Sequence, residues 1–109
     1  MADLLQVTAA NFEAEVTQSA EPVLLDFWAE WCGPCRMVTP VVESVAAKYA
    51  GRLKVGKVNV DEEGELAARF GIRSIPSLLF FRGGQLAQTV IGFRPEEQLT
   101  EVVETVLAG

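Results

Sequence analysis

The six residues Val-Leu-Leu-Asp-Phe-Trp at positions 23–28 constrain the fold more than any other segment of the 109-residue chain. All of them except Asp26 are apolar, and a near-continuous apolar run is typical of a strand that is buried on both faces. Such a strand lies in the interior of a sheet, which then needs helices on both sides. The segment therefore predicts a layered α/β fold.

The segment that follows is predicted to be a long amphipathic helix. Its apolar residues recur at helical spacing, at positions 38, 41, 42, 45, 46 and 49. Pro34 suits the first helical position, where its missing N–H costs nothing, and Gly51 suits the end of the helix. Pro40 lies inside the pattern, so we expect a kink there and not an end.

Shorter elements surround this strand and helix. Before them we predict a strand over residues 4–7 and a helix over about 9–17 that Thr8 caps. After them we predict a strand over 53–60, a short helix capped near Asp61 and ended by Gly71, a hairpin over 77–91 that turns at Gly83-Gly84, and a helix opened by Pro95. The order β-α-β-α-β-α-β-β-α predicts a mixed sheet with parallel crossovers first and an antiparallel hairpin last.

Length and charge narrow the class of protein. A chain of 109 residues, half of it hydrophobic, predicts a single domain over residues 1–109. A net charge of −6 argues against nucleic acids and anionic membranes as partners, because both require a basic surface. The N-terminal residues lack the pattern of a signal peptide, and no apolar run has the ~20 residues of a membrane span. We therefore expect a soluble, cytoplasmic protein.

The only two cysteines lie in Trp31-Cys32-Gly33-Pro34-Cys35, between the apolar strand and the long helix. Cysteines at i and i+3 in the first turn of a helix are close enough to form and release a disulfide with little backbone movement. A Cys-x-x-Cys beside a β-α-β pattern indicates a reversible redox centre. In a reducing compartment such a pair is catalytic more often than structural.

Two other interpretations of the cysteine pair are weaker. A structural staple would close a loop of only a few residues, and short loops give the smallest stabilisation. A zinc site needs four ligands, whereas this chain has two cysteines and no histidine, so carboxylates or a second chain would have to complete the site.

The position of the two cysteines predicts different roles for them. The unpaired N–H groups and the positive dipole end of the helix favour negative charge on the Cys32 sulfur. Cys32 precedes the helix and is expected to meet solvent, whereas Cys35 shares the inward face of Val38 and Val42. We therefore predict that Cys32 attacks a substrate disulfide and that Cys35 resolves the mixed disulfide.

Three further residues invite a hypothesis. Asp26 is the one charged group in an apolar run, so burial is expected to raise its pKa and allow it to exchange protons with Cys35. The alternative is a hydrated, inert carboxylate at the end of the strand. Lys57 could pair with Asp26 if their strands are neighbours, although sequence alone favours an ordinary solvated lysine. Pro76 must lie at the start of a strand, and from local sequence the Ile75-Pro76 bond is expected to be trans.

The residues that recur together make the chain resemble the thioredoxin family, and in particular the bacterial type. They are the motif at positions 31–35 with Asp26, Lys57, Ile75-Pro76, Gly84 and Gly92. The resemblance covers essentially the whole chain. It implies a thioredoxin fold, in which four helices sandwich a five-stranded mixed sheet, and a cis peptide bond before Pro76.

The resemblance also implies the chemistry and the partners. Gly33 and Pro34 would tune the redox potential, and Asp26 with Lys57 would assist proton movement. Extended substrate segments would dock on Trp31, Ser74, Ile75, Pro76 and Gly92, partly by strand addition. A monomer without metal or bound cofactor would reduce protein disulfides and receive electrons from NADPH through a thioredoxin reductase.

Four residues depart from the family pattern, and they bear on partner choice and not on reaction type. They are Arg36, Ser74, Ser77 and Phe93.

Two other functions are compatible with the residues of the cysteine motif and its surroundings. One is a binding or assembly subunit that uses the apolar face without the thiols, and the other is an oxidase or isomerase, against which the missing histidine between the cysteines argues.

Overall fold

A five-stranded mixed sheet forms the centre of the protein, whose computed structural model describes residues 4–109. The strands are β1 (Leu5–Gln6), β2 (Val23–Trp28), β3 (Lys54–Asn59), β4 (Ser77–Arg82) and β5 (Gln85–Ile91). Their order across the sheet is β1-β3-β2-β4-β5. Strand β3 is parallel to β1 and β2, whereas β4 is antiparallel to β2 and β5. The predicted mixed sheet is confirmed.

Four helices within residues 4–109 cover both faces of the sheet. They are α1 (Glu13–Thr17), α2 (Gly33–Lys48), α3 (Gly64–Arg69) and α4 (Glu96–Ala108). One buried cluster joins the sheet to α2 and α4 through residues such as Val42 and Val103. A second cluster joins the sheet to α1 and α3 through residues such as Val16 and Leu66. The predicted α/β fold is therefore confirmed.

The burial of β2 explains its apolar sequence. Every residue of the strand except Trp28 is buried. Leu24 packs in the cluster on the α2 side of the sheet, whereas Leu25 and Phe27 pack in the cluster on the opposite side. Because side chains alternate between faces along a strand, a strand covered on both sides needs apolar residues at nearly every position.

Helix α2 follows the predicted pattern closely. Its buried side chains include Val38, Val42 and Val45 at helical spacing. The helix starts at Gly33, so Pro34 occupies the second helical position and not the first. Pro40 lies inside the helix without ending it, as predicted, and the kink at this proline stays a prediction.

Helix α1 differs from the sequence prediction. In place of an α-helix over 9–17, the structure has a turn followed by a five-residue π-helix, in which the Gln18 N–H donates to the Glu13 carbonyl at 3.0 Å. The Asn11 side chain accepts from the Thr8 N–H at 2.8 Å and donates to the Gln6 carbonyl at 3.0 Å. Such side-chain bonds compete with a helical start, so Thr8 does not act as the predicted cap.

The remaining turns agree with the sequence in position. Gly83 and Gly84 have φ of +61° and +80° between β4 and β5, as a tight hairpin turn requires. Helix α4 begins directly after Pro95, as predicted. Helix α3 begins at Gly64, and its N-cap residue Glu63 makes no side-chain cap hydrogen bond, so the predicted cap near Asp61 is wrong. No helix in residues 4–109 is both long enough and apolar enough to cross a membrane.

Candidate active site

The two cysteines lie at the N-terminus of α2 and are joined by a disulfide, with their Cα atoms 5.3 Å apart. Cys32 is the N-cap residue, and its Sγ atom accepts a hydrogen bond from the Cys35 N–H at 3.2 Å. An N-cap side chain normally supplies an oxygen to these unpaired N–H groups, and here a sulfur takes that place. The helix therefore directs a backbone donor and its positive end at the Cys32 sulfur.

The structure corrects the expected exposure of the two cysteines. Cys35 is 1% exposed, as predicted for an inward-facing residue, but Cys32 is also buried, at 4% exposure. The pair forms a small buried cluster with Ala29, against which Trp28, Val60 and Ile75 pack. Sequence reasoning placed Cys32 before the helix correctly but missed these long-range neighbours. The exposed surface around the pair consists instead of Trp31, Gly33 and Pro34.

The peptide bond between Ile75 and Pro76 is cis, which contradicts the expectation from local sequence and agrees with the family resemblance. The Ile75 carbonyl oxygen lies 3.7 Å from the Cys32 Sγ atom. The Pro76 carbonyl accepts from the Gly92 N–H at 2.8 Å, and the Ser77 hydroxyl donates to the Ser74 carbonyl at 2.6 Å. The segments at 74–76 and 92 are thus brought to the cysteines.

Trp31 is the most exposed large apolar side chain of the site, at 68%. Its indole Nε1 donates to the Asp61 carboxylate at 2.9 Å, and the Asn59 side chain in turn accepts from the Asp61 N–H at 2.9 Å. Asp61 was predicted only as a possible helix cap, and no sequence signal marked it as a partner of Trp31. The bond fixes the orientation of an otherwise free aromatic ring beside Cys32.

A shallow cavity of about 360 Å³ opens next to Trp31. Its lining is mostly apolar, with one cationic side chain: Trp31, Val60, Ala67, Ile72, Arg73, Ser74 and Ile75. A concave apolar surface with a few polar groups is typical of a binding site. Three of the predicted docking residues (Trp31, Ser74 and Ile75) therefore line a real depression and not a flat patch.

Asp26 lies on β2 and is 2% exposed. Burial raises the pKa of its carboxyl group from 3.8 to about 7, and the positive charge of Lys57 lowers it in part. Lys57 is the β3 partner of Asp26 in the strand register. The strands are therefore neighbours, as the pairing hypothesis requires. Lys57 is half-buried and forms no ion pair with Asp26 at 4.0 Å or less, so the pairing itself stays a prediction.

Asp26 and Lys57 line a cavity of about 370 Å³ between the sheet and α2. The other lining residues are Leu4, Gln6, Trp28, Thr39 and Glu43. Within residues 4–109, neither Asp26 Oδ1 nor Trp28 Nε1 has a hydrogen-bond partner although both atoms are buried. The cavity places the polar side chains of Gln6, Thr39 and Glu43 on the same surface as the buried carboxyl group.

Two of the residues that depart from the family pattern lie close to the site. The Arg36 guanidinium donates to the Glu30 carbonyl, so its charge is held over the loop that precedes Cys32. Phe93 is 39% exposed and follows Gly92, whose φ of +88° favours glycine.

Across residues 4–109, no group of three His, Cys, Asp or Glu side chains is arranged to hold a metal ion.

Comparison with known proteins agrees with this geometry. The profile of the family described as Thioredoxin matches residues 3–105. The chain is 51% identical to Thioredoxin 1 of Nostoc sp. over 95% of this chain and 97% of the relative. It is 45% identical to the thioredoxin of Haemophilus influenzae and 48% identical to that of Pyropia yezoensis, in both cases over 94% of this chain and 96% of the relative.

Proposed function

The chain belongs to the thioredoxin family, and from this premise we propose how its cysteine pair reduces disulfide bonds in other proteins. With Cys32 and Cys35 at disulfide distance, it is a thiol–disulfide oxidoreductase. We propose a role in this reaction for each residue of the site. The observation that carries it is the Cys35 N–H donating to the Cys32 sulfur at the N-terminus of α2.

In the first step, the Cys32 thiolate of the reduced protein attacks one sulfur of a substrate disulfide. A bond forms between Cys32 and that sulfur, the substrate S–S bond breaks, and the second substrate sulfur leaves as a thiolate that takes a proton from water. The helix N-terminus favours the thiolate form of Cys32 because a backbone N–H and the helix dipole both stabilise negative charge there.

In the second step, Cys35 gives its proton to the Asp26 carboxylate and attacks the Cys32 sulfur. The mixed disulfide breaks, the substrate leaves as a thiolate, and the Cys32–Cys35 disulfide forms. A pKa of about 7 suits Asp26 to this task, because a general base works best when its pKa is near the operating pH. The positive charge of Lys57 keeps part of the carboxyl population ionised.

Substrate segments dock on the surface formed by Trp31, Ser74, Ile75, Pro76 and Gly92. The cavity beside Trp31 accepts an apolar side chain of the segment, and the backbone at 74–76 pairs with it in the manner of an added strand. Gly33 and Pro34, which are exposed between the cysteines, tune the redox potential of the pair.

The oxidised protein must recover two electrons to act again. We propose that they come from NADPH through a thioredoxin reductase, with no cofactor bound to this chain. The protein then acts in the cytoplasm as a monomer with one domain over residues 1–109, and its partners are the reductase and disulfide-containing proteins. Nucleic acids and membranes are not among them, in keeping with a net charge of −6.

Serine substitutions of the two cysteines test these roles. Cys35→Ser is expected to accumulate a mixed disulfide through Cys32, because the first step proceeds and the second cannot. Cys32→Ser is expected to lose turnover and to trap no substrate. Mass spectrometry of protein incubated with a disulfide substrate reads both outcomes, and trapping by Cys32→Ser but not by Cys35→Ser would reverse the assignment.

A further inference from the structure

We propose that Trp28 is a positioning residue that holds the Lys57 ammonium group beside the Asp26 carboxyl group. The inference rests on the proposed function, in which Asp26 accepts the proton of Cys35 in the second step. It concerns a contact between an aromatic ring and a cation on neighbouring strands, which is separate from the packing of Trp28 against the cysteines.

Strand geometry places the three side chains on one face of the sheet. Asp26 and Trp28 are two residues apart on β2, so both point towards α2. Lys57 is the register partner of Asp26 on the parallel strand β3, and its side chain leaves the sheet on the same face. All three line the cavity between the sheet and α2.

The Lys57 ammonium group rests on the indole ring. Its Nζ atom lies 5.5 Å from the centre of the Trp28 ring, within the ~6 Å at which a cation is attracted to an aromatic face. Within residues 4–109, no carboxylate lies within 4.0 Å of the Lys57 ammonium group. The one ion pair at that distance among these residues joins Lys54 and Glu15. The ring is thus the contact that fixes where the lysine charge lies.

The surrounding charges show why a fixed position matters. Among residues 4–109, the charged side chains that line the cavity are Asp26, Lys57 from β3 and Glu43 from α2. Strand β1 contributes the uncharged Gln6, and the β4 partner of Asp26 is Leu78. A lysine released from the ring could turn towards Glu43 or solvent, and its long, flexible stem favours such movement.

Loss of the ring is therefore expected to act on Asp26 through Lys57. With the ammonium group displaced, the stabilisation of the Asp26 carboxylate weakens and the pKa of Asp26 rises, by up to about one unit. At pH 7 the ionised fraction of Asp26 would fall from about one half to about one tenth, and the resolving step would slow about fivefold.

A double-mutant cycle tests the proposal. Trp28→Leu removes the aromatic face and keeps an apolar side chain, and Lys57→Met removes the charge and keeps an unbranched stem. Carbon-13 NMR of the Asp26 carboxyl group during a pH titration gives its pKa in each variant. We expect Trp28→Leu to raise this pKa in the parent protein and to change it little in the Lys57→Met background.

Two matched variants complete the test. Trp28→Tyr keeps a ring that binds cations, so it is expected to restore most of the parent pKa. Lys54→Met removes a lysine from the same strand that pairs with Glu15, and it is expected to leave the pKa of Asp26 unchanged. If Trp28→Leu does not fold, the same comparison is made with Trp28→Phe, for which we expect a smaller rise that also vanishes in the Lys57→Met background.

The proposal is overturned if replacement of Trp28 leaves the pKa of Asp26 unchanged, or shifts it equally with and without the Lys57 charge. Neither result would touch the proposed function. That proposal fails separately if Asp26→Asn leaves the rate and pH profile of the resolving step as they are in the parent protein.

Discussion

Asp26 is the residue whose burial has the clearest consequence for stability. Its pKa is about 7 in the folded protein and 3.8 for an ordinary exposed carboxyl group. Well below pH 4 the carboxyl group is protonated in both the folded and the unfolded state, so its ionisation makes no contribution to the free energy of unfolding. As the pH rises from about 4 to about 7, the unfolded state releases the proton first, and the free energy of unfolding falls over that interval.

Asp26→Asn removes this pH-dependent loss. Below pH 4 we expect the free energies of unfolding of the variant and the parent to differ by a constant amount. Between pH 4 and pH 8 we expect the variant to become increasingly more stable than the parent. A pKa difference of about three units corresponds to a gain on the order of 4 kcal/mol, at ~1.4 kcal/mol per unit. Urea unfolding of the oxidised proteins at several pH values measures it.

An exposed carboxylate serves as the control for this prediction. Glu62→Gln, on the surface after β3, is expected to show no comparable change between the same pH values. A difference between Asp26→Asn and the parent that does not vary with pH would contradict the assignment of the loss to the Asp26 carboxyl group.

Single residues also show where local sequence falls short. Cys32 was expected to meet solvent, because its burial depends on Val60 and Ile75, which lie far along the chain. The trans expectation for Pro76 followed general frequencies of X–Pro bonds, and only the family resemblance pointed to cis. Lys57 could be placed on the strand next to Asp26 only once the strand order was known.

At the scale of elements, the backbone N–H groups of the edge strand β5 are of two kinds: some point at β4 and the others point away from the sheet. The Gly92 N–H donates to the Pro76 carbonyl, and hydrogen-bonded pairs alternate along an antiparallel ladder. With the register of Gln88 opposite Phe80 and Thr89 opposite Leu79, the Gln88 N–H therefore points at β4 and the Thr89 N–H points away from the sheet. Both side chains are exposed.

Proline substitutions at Gln88 and Thr89 distinguish an N–H group that bonds to β4 from one that does not. Gln88→Pro removes a ladder hydrogen bond and leaves a β4 carbonyl without its partner, which costs about 1–3 kcal/mol. Thr89→Pro removes an N–H that no strand uses, so its cost is limited to backbone fit. Chemical unfolding of both variants measures the difference, and equal destabilisation would show that the inferred alternation is wrong.

The length of an element decides how well its sequence predicts it. Helix α2 has sixteen residues with a repeated apolar stripe, and both its position and its inner face followed from that spacing. The segment of α1 is short, and the Asn11 side chain bonds to the backbone on both sides of Thr8, which a periodic pattern does not reveal. Phe12 and Val16 of this segment are nevertheless both buried.

At the scale of the whole molecule, strand order assembles the site. Strand β4 runs antiparallel to β2, so its first residue Ser77 lies beside Phe27 near the end of β2, where the cysteine loop begins. The last residue of β5, Ile91, lies beside Ser77 and brings Gly92 to the same edge. The motif at 31–35 was evident from sequence, whereas this meeting of three distant segments required the register of the sheet.

Cys32 is proposed to be the sulfur that reacts with substrate, and Cys35 the less reactive sulfur that resolves the mixed disulfide. Limited alkylation of the reduced protein with iodoacetamide at pH 7, followed by peptide mass spectrometry, tests it most directly. We expect Cys32 to be labelled at least about tenfold faster than Cys35, because the helix N-terminus stabilises its thiolate. Equal labelling of the two cysteines, or faster labelling of Cys35, would contradict it.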